Sequence, residues 1–490
     1  MKKKMIYMAI MFASIMMTGC GSGGGGSVAS GALNGAPNQL GATPGGVQDM
    51  NFARGLVDSG KVPPPEAFIV EAMYSEHDLP VTGPACDMTL CVRGAMGIAP
   101  DAAGVSSGWV QVGLSSNINA ETFERPPITI IAAVDTSGSM GWSYQDRTSG
   151  IATAKQMLSS ITAKLDAADQ FGLVSYGSDV SIPLSITAGN SPVISSVISN
   201  LTPNGGTNME AGLKQAFALA EQAREMSDNV RILLFTDEQP NIGATSASEF
   251  EQIVSSGADK GIGLTVFGIG LGLRSELTQA MSYMPGGNAF SIMDASEVES
   301  FMTDNWPWMV SPIAYDLSVS ADIPAGLRIT ETYGFPNSGT SSEVGFDVAT
   351  VFLSKNKGAL LLKLQGESLQ SLAVNLGVTY TGLDGSNRES TMTVSYEGQA
   401  LDGGGQYMPQ AGIAKTVALT LLVTEMKRAT SLYQTDPEQA IAILSTALSR
   451  FSAYSVLIGD EEITREAAFW PRLLDLMEAG AEQGTFYGNP

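Results

Sequence analysis

Ile128-Thr129-Ile130-Ile131-Ala132-Ala133-Val134-Asp135-Thr136-Ser137-Gly138-Ser139-Met140 is the stretch that decides the fold. Its apolar residues, Ile128, Ile130, Ile131, Ala132, Ala133 and Val134, are interrupted only by Thr129. So continuous a run reads as a strand buried on both faces of a parallel sheet. It stops abruptly at Asp135-Thr136-Ser137-Gly138-Ser139, so the strand delivers a carboxylate and two hydroxyls to its C-terminal edge, where open α/β sheets bind ligands. Asp-x-Ser-x-Ser is a hard oxygen-donor set, suited to Mg2+ or Mn2+ and poorly suited to zinc or copper. Two further oxygens complete it. Thr207, in Asn204-Gly205-Gly206-Thr207-Asn208, opens a helical stretch, and Asp237 ends Arg231-Ile232-Leu233-Leu234-Phe235-Thr236, a second buried strand.

Together these phrases resemble a von Willebrand factor A domain with a complete metal-ion-dependent adhesion site. The phrases Gly205-Gly206-Thr207-Asn208-Met209-Glu210-Ala211-Gly212-Leu213 and Leu233-Leu234-Phe235-Thr236-Asp237 match that family's pattern in order and separation, and the resemblance covers 128–310. It implies a doubly wound, Rossmann-like α/β fold. The residues support this independently, because strand-like and helix-like segments alternate. Ser149–Leu165, Met209–Met226, Phe250–Ala258 and Glu276–Tyr283 have helical spacing; Phe171–Tyr176, Val230–Thr236, Gly263–Ile269 and Ala289–Met293 read as strands, with Val180–Ile186 as a short antiparallel partner.

The resemblance also implies roles. Ser137 and Ser139 ligate the ion, Thr207 joins directly or through water, and Asp135 and Asp237 ligate it or hold waters. One coordination position stays open for an acidic residue of a protein partner. The implied cofactor is Mg2+, with Mn2+ or Ca2+ as alternatives. Two carboxylates neutralise such an ion and leave part of its attraction for a third unspent. Glu238 departs from the pattern, which often has glycine there, and adds negative charge beside the ion.

Composition bounds the alternatives. At 490 residues, 44% apolar and 15% charged, the chain should form two or three globular domains. A net charge of −23 argues against nucleic acid or an anionic membrane surface as direct partner and leaves protein or carbohydrate. The single histidine, His77, removes the commonest general base and zinc ligand from most of the chain. Lying among acids, it is expected at the surface. Gly268-Ile269-Gly270-Leu271-Gly272 lacks a P-loop lysine and the full GxGxxG, so it reads as a strand-to-helix turn. Trp306 and Trp308 read as a domain-boundary anchor rather than a carbohydrate platform.

The N-terminus is a targeting segment. Lys2, Lys3 and Lys4 precede the apolar run Met5–Met17, too short to span a bilayer, and residues 1–19 form a signal peptide. Met17-Thr18-Gly19-Cys20 resembles a bacterial lipobox, which makes Cys20 the lipidated first residue and places the protein on the cell envelope. Gly21 in place of aspartate resembles lipoproteins sent to the outer rather than the inner membrane. Losing three lysines and no acid takes the charge from −23 to −26. Residues 20–47, Gly/Ser-rich, read as a flexible tether that holds the folded part about 25–30 Å from the bilayer.

Residues 48–127 contain Gly60-Lys61-Val62-Pro63-Pro64-Pro65-Glu66-Ala67 and Val70-Glu71-Ala72-Met73, which resemble the N-terminal segment of bacterial von Willebrand A-type lipoproteins. Cys86 and Cys91 are most simply a disulfide in an exported protein, with two buried free thiols as the alternative. Cys91–Ile98 and Gly108–Leu114 alternate like strands, too few to close a sheet. Residues 311–402 carry further short alternating segments, which suggests an antiparallel β-sandwich shared with those strands, into which the metal domain is inserted or which flanks it. Residues 403–490 read as a helical C-terminal region.

Two functions from different classes fit this sequence. One is a metal-dependent adhesion or scaffold module that binds protein. The other is a metal-assisted hydrolase, which lacks a histidine base near the site, so no catalytic residue is assigned. A purely structural envelope protein is the remaining alternative.

Overall fold

The structure is a computed structural model that describes residues 39–44, 50–119, 122–143, 147–227, 229–237, 240–270, 287–334, 343–354, 358–366 and 369–484. In chain order, β1 (Gln39–Pro44), β2 (Cys91–Pro100) and β3 (Ser106–Asn119) come first. A central block follows with β4 (Thr129–Asp135), β5 (Gln170–Tyr176), β6 (Val180–Ala188), β7 (Val230–Thr236), β8 (Ile262–Ile269) and β9 (Gly287–Ile292). After it come β10 (Pro312–Asp322), β11 (Leu327–Tyr333), β12 (Glu343–Ser354), β13 (Leu360–Gly366), β14 (Leu372–Gly382) and β15 (Asn387–Tyr396).

The central block is the expected doubly wound sheet, in the order β6-β5-β4-β7-β8-β9. β4 pairs in parallel with β5 on one side and β7 on the other, and β6 is the antiparallel edge. All seven residues of β4 are buried. Alternation sends them to opposite cores: Ile130, Ala132 and Val134 pack toward helices Gly150–Thr162 and Val298–Met309, whereas Ile131 and Ala133 pack toward helices Met209–Arg224 and Ala247–Ala258. Trp306 is buried in the first of these cores. The expected helix Glu276–Tyr283 lies outside the described residues.

The flanking strands form one nine-stranded antiparallel sheet, β11-β13-β3-β1-β12-β10-β14-β15, with β2 on the other edge of β3. It folds over on itself, so the expected sandwich is built from a continuous sheet. β2 lies against β14 and β15, where a Cβ on Gly94 would stand 2.5 Å from Leu376 and 2.6 Å from Val394. The Tyr380 hydroxyl closes the same layer, accepting from Leu90 N at 3.0 Å. The strands from before and after the central block therefore share one core, in which Val92, Met96 and Val110 meet Leu317, Val374 and Val378.

Chain entry to and exit from the central block are side by side. The Asn229 side-chain amide donates to Pro127 O at 3.2 Å and to Val310 O at 3.3 Å. Arg125 forms a fork with Asp169 at 2.8 and 2.6 Å, and the Ile128 amide donates to the same carboxylate at 2.9 Å. Arg231 of β7, almost fully buried, lies 4.2 Å from the ring centre of Phe352 on β12 and joins the two sheets.

The C-terminal helices Ala411–Leu432, Pro437–Ile458, Glu461–Phe469 and Pro471–Glu478 enclose a fourth core with the N-terminal helices Asn51–Asp58 and Val70–Ser75. Gly459, at φ 66°, ends one helix and Asp460 caps the next, accepting from Glu462 N and Ile463 N.

Two expectations are corrected. Within the expected tether, Gln39–Pro44 is a strand paired with β12 and β3, and its composition offers no apolar pattern from which a strand could be read. His77 is 2% exposed rather than superficial, because Glu462 and Glu466, each 3.5 Å away, give a buried imidazolium two counter-charges.

Candidate functional site

The C-terminal edge of β4 is the point where the sheet order reverses, with β5 and β7 diverging on either side. Asp135 ends the strand there, fully buried, and the chain turns at once into a short 3-10 turn over Ser139–Gly141. Two contacts fix the carboxylate: the Ser137 amide donates to Oδ1 at 2.8 Å, and the Thr236 hydroxyl on β7 donates to Oδ2 at 3.0 Å. Ser137 Oγ and Ser139 Oγ stand 3.0 Å apart.

Asp237, one residue beyond β7, is 8% exposed and comes in from the neighbouring strand. Ser139 hydrogen-bonds to it, while its Oδ1 is buried with no hydrogen-bond partner among the described residues. Thr207 is also buried on this edge. Its loop is locked to the β4 loop by Asn204 N donating to Thr136 O at 2.6 Å and by Gly138 N donating to Gly205 O at 2.9 Å. Gly205 makes that approach at φ 81°, a conformation that L side chains rarely adopt. Asn241 holds Thr207 from the other side, accepting from its amide at 2.9 Å and donating its own amide to the Thr207 carbonyl at 3.1 Å.

The structure thus brings Asp135, Ser137, Ser139 and Asp237 into one contact set and seats Thr207 on the adjoining loop. Cys20 and Glu238 lie outside the described residues. Cys86 and Cys91 are joined in a disulfide at the start of β2, remote in sequence from the donor set. Thr236 and Asn241 were not among the residues singled out by sequence. Thr236 adjoins Asp237 in Leu-Leu-Phe-Thr-Asp and was legible in principle, whereas nothing local marks Asn241 as the support of a residue 34 positions away.

The electrostatics follow from burial. Desolvation first, and then repulsion from Asp237, push Asp135 up to about 7 against the hydrogen bonds from Ser137 and Thr236. Desolvation likewise raises Asp237, against the hydrogen bond from Ser139. Two carboxylates, both disfavoured as anions, one with a bare buried oxygen, and hydroxyls that add no charge, fit a hard divalent cation. Among the described residues no group of three or more His, Cys, Asp or Glu side chains forms a metal-binding cluster, and the donor set here is correspondingly rich in hydroxyls.

A small cleft opens beside the donor set. Ser139 and Asp237 line it together with Trp142 and Arg147 from the loop that follows β4 and Ile269 and Met293 from the ends of β8 and β9.

Comparison with known proteins agrees with the fold of the central block. Residues 130–239 match the family model of the von Willebrand factor type A domain. The chain is 27% identical over 201 residues to YfbK, an uncharacterized protein of Escherichia coli K12, covering 41% of this chain and 34% of that protein. It is 28% identical over 200 residues to inter-alpha-trypsin inhibitor heavy chain H4 of Sus scrofa, covering 39% of this chain and 21% of that protein. The matched region is thus about a third or less of these relatives. Among solved structures, a von Willebrand factor type A protein of Catenulispora acidiphila shares the fold with a TM-score of 0.50 at 13% identity, over 76% of this chain and 88% of that one. The central block has a von Willebrand A-type α/β fold.

Proposed function

We propose that the protein is an envelope-anchored binding module in which Asp135, Ser137, Ser139, Thr207 and Asp237 hold Mg2+, with Mn2+ or Ca2+ as substitutes, and that the ion receives an acidic residue of a protein partner. The observation that carries the reading is the buried Asp237 Oδ1, unpartnered among the described residues, beside a second buried carboxylate and two neighbouring hydroxyls. Mutual repulsion of the two acids favours a cation between them. When bound, the ion would supply positive charge and an open coordination position to a carboxylate oxygen.

The chain's own residues prepare that position. Ser137 N and Thr236 Oγ1 orient Asp135, and Asn241 fixes the Thr207 loop, so the donors are in place before any partner arrives. Binding rather than catalysis is supported by the want of a base. The one histidine of the chain is engaged with Glu462 and Glu466 in the helical core. Cys20, lipidated behind a signal peptide, would tie the module to the envelope.

The test is capture of partners by the immobilised protein in Mg2+ and in EDTA, with Asp135→Ala as control. A protein retained in Mg2+ and released by EDTA, and absent with Asp135→Ala, supports the reading. Equal retention in all three conditions contradicts it.

A further inference from the structure

A charge network fastens the N-terminal helices to the C-terminal ones, with His77 at its centre. Nδ1 lies 3.5 Å from Glu462 Oε2, and Nε2 lies 3.5 Å from Glu466 Oε1. A neutral imidazole has one N–H, so only the imidazolium offers a donor to both carboxylates. Asp78, the next residue, donates its amide to Glu462 Oε2 at 3.0 Å. Helix Asn51–Asp58 brings Arg54, 2.8 Å from Glu466 and 2.6 Å from Glu76. Helix Ala411–Leu432 brings Lys415, 2.9 Å from Asp460 and 2.5 Å from Glu462. In these ion pairs three cations face four anions while His77 holds its proton, and two face four once it is lost. His77 and Lys415 are each 2% exposed, so water screens that imbalance little.

The same helix Asn51–Asp58 lies against β9, the last strand of the central sheet. Asn51, one turn before Arg54, donates its side-chain amide to Ser291 O on β9 at 3.4 Å. Met293, just beyond β9, belongs to the helical core that holds Met50 and Phe52, and it also lines the cleft beside Ser139 and Asp237. We propose that the His77 network is a pH-sensitive lock that seats helix Asn51–Asp58 on the β9 edge and thereby sets one wall of the cleft. While the imidazole is charged, Glu466 is held between it and Arg54, and the helix stays on the sheet. Once it is neutral, Glu462 and Glu466 keep only Lys415 and Arg54 as cations, and the helix loosens together with β9 and Met293. Burial opposes the proton, but Glu462 and Glu466 outweigh burial and Lys415, so His77 titrates above its ordinary 6.5. The lock is therefore fully closed below the ordinary value and opens as pH rises through the folded one. It goes beyond the metal-dependent reading and does not depend on it, because none of its groups belongs to the donor set.

Hydrogen exchange of the purified full chain in EDTA, read by mass spectrometry over Asn51–Asp58, β9 and β5 and corrected for the intrinsic rate, tests the lock at pH 6 and pH 9. At pH 6, His77→Gln should lower the protection of Asn51–Asp58 and β9 about five- to thirtyfold more than that of β5, and this difference should shrink at pH 9. Arg54→Met should loosen the same two segments at both pH values, because the guanidinium keeps its charge throughout. Each comparison is made at one pH, so the titration of Asp135, common to all three proteins, cancels.

Loosening confined to Asn51–Asp58 would overturn the hold on the sheet edge. A difference as large at pH 9 as at pH 6 would overturn the switch, and no difference at either pH would overturn both. Should His77→Gln not fold, the wild type alone decides. Protection of Asn51–Asp58 and β9 relative to β5 should fall from pH 6 to pH 9, and a constant ratio would overturn the lock.

Discussion

Asp135 ties the stability of the metal-free protein to pH. Its folded-state value of about 7 lies above the ordinary 3.8, so the folded chain holds this proton more tightly than the unfolded one. The stabilisation is complete below the ordinary value and is lost as pH rises through about 7. In EDTA the melting temperature should therefore fall between about pH 5 and pH 8, by an amount equivalent to about 2–4 kcal/mol, and Asp135→Asn should flatten the slope. Mg2+ should restore the stability of the wild type at the alkaline end, since it binds the folded state alone. Equal pH slopes for the two proteins in EDTA would contradict the assignment. Asn241 supports the donor set without belonging to it. Asn241→Ala, which frees the Thr207 amide, should weaken divalent-ion affinity by about 10–100-fold without unfolding the chain, read by calorimetric titration. Of these residues, Asp135, Ser137, Ser139, Thr207 and Asp237 were legible because short phrases carry them. Asn241 was not, since its use depends on two loops meeting in space.

The elements show the same division. β4 and β7 could be read directly, because a strand buried on both faces leaves a continuous apolar run. β1 could not, because Gln39–Pro44 contributes backbone pairing and no apolar periodicity. His77 was misread for a related reason: its partners, Glu462 and Glu466, lie at the other end of the chain, where helix Glu461–Phe469 meets the segment after Val70–Ser75. Burial lowers the imidazole's proton affinity, but the two carboxylates outweigh it and the net shift is upward from 6.5, against Lys415. This contribution is thus full below the ordinary value and lost as pH rises through the folded one. His77→Gln should destabilise the protein by about 1–3 kcal/mol near pH 6 and by less near pH 9, measured by urea unfolding. An effect that grows with pH would contradict the clasp. On the other side of the molecule, Gly94→Val places methyl groups where Leu376 and Val394 already stand, and should cost about 1–3 kcal/mol by the same assay.

The whole chain is organised so that one domain is carried by another. Strands before and after the central block share a sheet, and Asn229 touches the carbonyls of both crossings, so the block can be lifted out with its ends close together. Residues 128–310 alone should fold cooperatively and bind a divalent ion, because their two cores are internal to the block. A molten fragment, read by calorimetry, would show instead that Arg231 and Phe352 are needed to hold it. Anchoring is separable from all of this. Cells expressing the full chain should incorporate labelled palmitate into it and lose the label with Cys20→Ser, whereas label retained by that variant would exclude Cys20 as the attachment point. The most direct measurement of the central claim is titration of the full chain with Mn2+, followed by electron paramagnetic resonance. The account predicts one competed site that Mg2+ displaces and that Asp135→Ala removes while circular dichroism in EDTA stays unchanged. The same Mn2+ binding in wild type and Asp135→Ala would contradict it.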